Sequence, residues 1–125
     1  MRILLVDDDE LLGELLEMTL SIEGHDVAVC TNGADGIERL QHDRYDLVVL
    51  DLMMPFMDGL QFMRFLPGII DPPPVVVLSA AGRGDLARDA IAAGAKAVVA
   101  KPVETDELLG TIQRVLTAGA HPQGV

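Results

Sequence analysis

An alternating α/β fold built on a parallel sheet is predicted by two features of the sequence: five short apolar runs, and stretches of helical spacing after each. The runs are residues 3–6 (ILLV), 27–30 (VAVC), 47–50 (LVVL), 75–78 (VVVL) and 97–100 (AVVA). Four are continuously apolar, the pattern of strands covered on both faces; the second is less uniform. Crossovers between parallel strands are right-handed, so five strand–helix units imply a doubly wound sandwich with helices on both faces.

Each helix has its own signal. Leu11, Leu12, Leu15, Leu16 and Leu20 mark one face of the first, with Glu10, Glu14 and Glu17 off it. Ile37 and Leu40 mark the second, after the start signal Thr31-Asn32-Gly33. Leu60, Met63 and Leu66 mark the third, which Pro67-Gly68 should stop. Leu86, Ala90 and Ile91 mark the fourth, ended by Gly94. The fifth carries Leu108, Leu109, Ile112, Val115 and Leu116, with Glu104, Asp106 and Glu107 near its positive end. Pro72-Pro73-Pro74 reads as a stiff lead-in to the fourth strand. Residues 1–118 are expected to form one domain, and 119–125 a flexible tail or the start of a linker.

The composition supports a single buried core in 125 residues. Half the residues are hydrophobic and only 3% aromatic, so the core must be aliphatic, drawing on Leu, Val, Ile, Ala and Met. A net charge of −11 argues against nucleic acid or an anionic membrane as a direct partner, and leaves room for a divalent cation. Most of the acid serves solubility. Cys30 stands alone, which excludes an intramolecular disulfide or a thiolate metal cage, and reads as a small core residue. The N-terminal run of four apolar residues is too short for a signal peptide's apolar region, no stretch approaches the length of a membrane span, and a cytoplasmic location is expected.

The chemistry sits just after the strands. The first run ends in Asp7-Asp8, the third in Asp51, the fourth in Ser79 and the fifth in Lys101. Ligands of open parallel sheets bind at the carboxyl ends of the strands, so these groups should share one cleft. Three carboxylates together call for a cation. Oxygen ligands with no zinc spacing and no calcium-loop alternation suit Mg²⁺. A carboxylate beside Mg²⁺ and an ammonium can attack a phosphoryl group and form an acyl phosphate. Asp51 is the acceptor candidate because it stands singly at the end of a central strand. Lys101 would neutralise charge, and the Ser79 hydroxyl would bond a phosphoryl oxygen.

With Val6-Asp7-Asp8, the string Asp51-Leu-Met-Met-Pro-Phe-Met-Asp58-Gly59, Ser79-Ala80 and Lys101-Pro102 in this order, the chain resembles the response-regulator receiver domains of two-component signalling, such as the chemotaxis response regulator. The resemblance runs from residue 3 to about residue 118. It implies a flavodoxin-like five-stranded sheet of order 2-1-3-4-5. It also implies phosphorylation of Asp51 by a histidine kinase or a histidine phosphotransfer protein. Asp8, Asp51 and the Met53 backbone carbonyl would bind Mg²⁺, with Asp7 assisting through water. Ser79 would be the switch hydroxyl, Lys101 the phosphoryl grip, and the bond before Pro102 cis. The domain would be no enzyme beyond its own phosphorylation and dephosphorylation. Its output would pass through the face of helix 4, strand 5 and helix 5 to a partner or an output domain.

Other residues read as structural: Asp9 and Glu10 as an acidic helix start, Asp58-Gly59 as a turn and helix start, Met53, Met54 and Met57 as packing. His25 and His42 read as exposed, His121 as part of the tail, and Arg83 and Arg88 as solvated. Gly82-Arg83-Gly84 is too poor a glycine-rich loop to cradle a nucleotide. Two departures from the family matter. Val98 stands where an aromatic residue commonly changes rotamer, and valine has little reach. Met53 and Ala81 occupy positions that affect dephosphorylation and cannot hold a water, so slow hydrolysis is expected. A magnesium phosphohydrolase would have a second Asp where Met53 stands. A flavin carrier would need a Ser/Thr/Gly-rich loop where Asp7-Asp8 stand. A receiver that no longer takes phosphate is at odds with the full set of acceptor-site residues.

Overall fold

In the computed structural model, which describes residues 1–54, 57–80 and 84–120 with side chains to residue 118, the five apolar runs are five parallel strands. The elements are β1 (Arg2–Val6), α1 (Glu10–Ile22), β2 (Asp26–Cys30), α2 (Gly33–His42), β3 (Leu47–Asp51), α3 (Gly59–Phe65), β4 (Val75–Ala80), α4 (Gly84–Ala92), β5 (Ala97–Lys101) and α5 (Thr105–Ala120). A single 3-10 turn, Leu66–Gly68, follows α3, where Pro67 was expected to end it. The strand order is β2-β1-β3-β4-β5, as expected of the flavodoxin-like arrangement.

The sheet carries a core on each face because successive strand residues point to opposite sides. Leu4, Val6, Val48, Leu50 and Val77 pack under α2, α3 and α4 with Ile37, Phe62 and Ala90. Ile3, Leu5, Leu47, Val49, Val76 and Leu78 pack under α1 and α5 with Leu16, Leu20, Leu108 and Ile112. The outer strands β2 and β5 are only half covered, which is why the second run reads less uniformly. Cys30 is buried, as expected.

Helix starts follow from side-chain caps that satisfy otherwise orphan amides. Asp9 accepts from the Leu12 N–H and Asn32 from the Asp35 N–H. Asp58 and Gln61 form a reciprocal capping box at the start of α3. Gly94, at φ +113°, turns the chain out of α4 in a conformation only glycine adopts freely.

Four expectations need correction. In α1, Leu11 and Leu15 are not core residues: with Met18 and Ile22 they are 78%, 52%, 61% and 77% exposed. At 3.6 residues per turn these four fall in an arc of about 60°, apart from the Leu12, Leu16 and Leu20 arc on the sheet. One helix can lay only one face on a sheet, so the second apolar stripe stays in solvent. Ile91 is likewise exposed while Ala90 takes the core position of α4. Met54 packs in the core, but Met53 is half exposed. His25 is half-buried rather than exposed, and burial lowers its pKa. His42 and Arg88 are exposed as expected. Expectations about Ala81, Gly82, Arg83 and His121 fall outside the described residues, as do Pro55 and Phe56 of the acidic string.

Candidate functional site

The strand register brings the acidic residues level. Val6 pairs with Leu50 across β1 and β3, so the next residues, Asp7 and Asp51, leave the sheet side by side. The Asp7 amide donates to the Cys30 carbonyl at 3.0 Å, which holds the start of the loop against β2. Asp7 Oδ1 accepts from the Asp9 N–H at 2.9 Å, tying this acid to the residue that caps α1. Asp8 points to solvent beside it. One oxygen from each of Asp7, Asp8 and Asp51 lies within 4.8 Å of the others, a spacing one cation can span.

Asp51 ends β3 and is only 3% exposed. Its Oδ1 accepts from the Met53 N–H at 3.2 Å and lies 3.3 Å from Lys101 Nζ. Lys101 ends β5 and reaches across to both buried acids, with Nζ 3.4 Å from Asp7 Oδ2. Ser79 is buried on β4, the strand between β3 and β5, one residue past Leu78, the register partner of Asp51. The bond between Lys101 and Pro102 is cis, as the resemblance implied. All the side chains expected in the cleft therefore emerge at one end of the sheet. Met53 contributes its backbone to the same turn.

Charge is unbalanced here. Burial and the neighbouring Asp7 push the Asp51 carboxyl up to about 6, against the Met53 N–H and Lys101, which hold it down. Burial also works against the charge on Lys101, but Asp51 and Asp7 outweigh it and its pKa rises. One ammonium faces three carboxylates. Among the described residues, buried Asp7 Oδ2 has no hydrogen-bond donor and meets the Lys101 ammonium as an ion pair. A buried carboxylate oxygen that accepts no hydrogen bond, in an all-oxygen set, fits a hard divalent cation such as Mg²⁺, with Asp7, Asp8 and Asp51 as the residues able to hold it.

Two positional details escape sequence reasoning. One is the exposed stripe on α1, since apolar spacing does not tell a core face from a bare one. The other is Gly59, whose closeness to the Asp51–Leu52 backbone only the tertiary structure reveals. Asp58 does what the sequence suggested and caps α3 rather than joining the cleft.

The response regulator receiver domain family matches residues 3–113. The chain belongs to this family. It is 39% identical to the response regulator MprA of Mycobacterium leprae over 93% of its length, and spans about half (51%) of that relative. The receiver domain of NtrX from Brucella abortus superposes with a TM-score of 0.85 at 29% identity, covering 92% of this chain and 98% of that one. The receiver domain of the sensor histidine kinase PA1611 from Pseudomonas aeruginosa, solved with a magnesium ion coordinated in its active-site cleft, superposes with a TM-score of 0.85 at 25% identity, covering 93% and 97%. The chain is thus the receiver domain of a response regulator in two-component signalling. No helix among the described residues is long and apolar enough to cross a membrane.

Proposed function

We propose that this chain is a phosphorylation-dependent switch in which Asp51 accepts a phosphoryl group from the histidine of a kinase or phosphotransfer protein. The observation that carries this is the convergence of three carboxylates within 4.8 Å with Lys101 3.3–3.4 Å from two of them. An oxygen of ionised Asp51 attacks phosphorus, the bond from phosphorus to the donor histidine nitrogen breaks, and that nitrogen keeps the electron pair. Asp8, Asp51 and the Met53 carbonyl, assisted by Asp7, would hold Mg²⁺, which when bound would supply charge neutralisation for the transferring group. Lys101 leaves its carboxylate partners for a phosphoryl oxygen, and the Ser79 hydroxyl donates to another. These two movements are the conformational signal. If the active form is about 1% populated beforehand, raising it to about 99% needs roughly 5.5 kcal/mol of differential stabilisation.

The functional unit is residues 1–118, acting in the cytoplasm and catalysing only its own phosphorylation and dephosphorylation. The donor docks on the exposed Leu11, Leu15, Met18 and Ile22 stripe, which starts beside the cleft because α1 follows Asp9 directly. Glu10, Glu14 and Glu17 edge that stripe and select a helix with apolar and basic faces. Output leaves by α4, β5 and α5 to a partner or an output domain, using backbone and loop motion because Val98 is short and half-buried.

Intact mass after incubation with Mg²⁺ and acetyl phosphate tests the reading. One added phosphoryl group, dependent on Mg²⁺ and absent in Asp51→Ala, is expected. No gain from acetyl phosphate or from a phosphorylated histidine donor, under conditions that preserve acyl phosphates, would overturn it.

A further inference from the structure

Gly59 occupies the first helical position of α3, directly after the cap Asp58. Its backbone is not in the left-handed region, so conformational freedom is not what demands glycine there. Contact is. A Cβ on Gly59 would stand 2.7 Å from Leu52 Cα, 2.7 Å from Leu52 Cδ2 and 3.0 Å from the Asp51 carbonyl oxygen. The Leu52 side chain could swing aside, but the two backbone atoms cannot. The Gly59 N–H also donates to the Leu52 carbonyl at 3.1 Å, and the Leu52 N–H to the Leu78 carbonyl at 3.1 Å. The residue after Asp51 is therefore clamped between β4 and the first residue of α3. The Met53 N–H that holds Asp51 Oδ1 follows one residue later.

We propose that Gly59 is a positioning residue of the phosphoryl site. By carrying no side chain it lets α3 close on the acceptor turn and hold the Asp51–Met53 backbone in register with Asp7, Asp8 and Lys101. The inference rests on the function proposed above and names what sets the geometry of that site. Gly36 is the natural contrast. The three atoms nearest a Cβ there are all in side chains: Phe62 Cε2 and Val6 Cγ2, each at 3.0 Å, and Val6 Cγ1 at 3.5 Å. Both glycines are tight, but only Gly59 presses on the acceptor backbone.

The test compares wild type, Gly59→Ala and Gly36→Ala by amide NMR without metal, by Mg²⁺ titration, and by acetyl phosphate uptake at saturating Mg²⁺. Gly59→Ala should shift the Asp51, Leu52 and Met53 amides before any metal is added. Its Mg²⁺ affinity should fall about tenfold or more, the loss typical of disturbed support around a metal site. Uptake should stay slow even at saturating Mg²⁺. Gly36→Ala should keep wild-type Mg²⁺ affinity in its folded population, whatever stability it loses. A folded Gly59→Ala that binds Mg²⁺ and takes up phosphoryl like wild type would overturn the inference, and so would an equal loss of affinity in Gly36→Ala. If Gly59→Ala does not fold, Asp58→Ala carries the test, because it removes the capping box and loosens the first turn of α3 without adding an atom. Weaker Mg²⁺ binding in that variant supports the role, and unchanged binding overturns it. A wild type that takes up no phosphoryl group overturns the proposed function and this role with it, whereas a working wild type beside an equally working Gly59→Ala overturns this role alone.

Discussion

In the proposed switch, the Asp51 carboxyl is where folding and function compete. Raised from 3.8 to about 6, its ionisation costs the metal-free fold about 3 kcal/mol at neutral pH. Below pH 3.8 the group is protonated in folded and unfolded chains alike and the cost vanishes. Between 3.8 and about 6 the unfolded chain ionises first, so stability falls as pH rises, and above that the loss is complete. Asp51→Asn should therefore stabilise the protein in chelator by up to about 3 kcal/mol at pH 7.5 and by almost nothing near pH 4. Urea unfolding at the two pH values checks this, and an equal gain at both would contradict it. Met53, half exposed beside the cleft, offers no polar group to a water. The double variant Met53→Asn, Ala81→Glu should lose its phosphoryl group severalfold faster than wild type, as timed by decay of the added mass. Unchanged decay would remove these residues from the account.

At the scale of elements, α1 carries two apolar faces. Leu16 and Leu20 bind it to the sheet, while Leu11, Leu15, Met18 and Ile22 face solvent. Changing Leu15 and Met18 to Glu should cost little stability, because both are already exposed. Burying either side chain in a complex is worth about 1.5–3 kcal/mol. The double change should therefore weaken phosphotransfer from a protein donor by at least about tenfold while uptake from acetyl phosphate stays at wild-type rate. Equal loss with both donors would place the stripe in the chemistry instead of the docking. The same helix shows where sequence reading stops. Its apolar residues were all visible, but which arc meets the sheet depends on how the chain before and after it is routed. Phe62, fully buried in α3, was hidden for a related reason: so short a helix gives too few turns for periodicity to single it out.

Across the whole molecule, a net charge of −11 with three acids converging at one sheet edge predicts that a bound cation adds to the stability. Mg²⁺ at about 100 times its dissociation constant should stabilise the folded state by about 2.7 kcal/mol. Asp8→Asn should lose most of that gain. Thermal unfolding with Mg²⁺ and with sodium chloride at matched ionic strength separates binding from screening of the overall charge. A gain that sodium chloride reproduces, or that Asp8→Asn retains, would show that no specific site is responsible.

The sequence by itself determined the fold class and the strand order expected of its family, and it named residues that meet at one end of the sheet. Continuous apolar runs can be buried only between two helical layers, and each polar residue that follows a run must then leave the sheet at the same edge. Tertiary structure alone decided the rest. It set the 3.3 Å reach of Lys101 to Asp51, the arc of α1 that stays bare, and the fit of Gly59 against Leu52 and Asp51. Those depend on distances between segments far apart in the chain, and residue type and spacing hold no record of them.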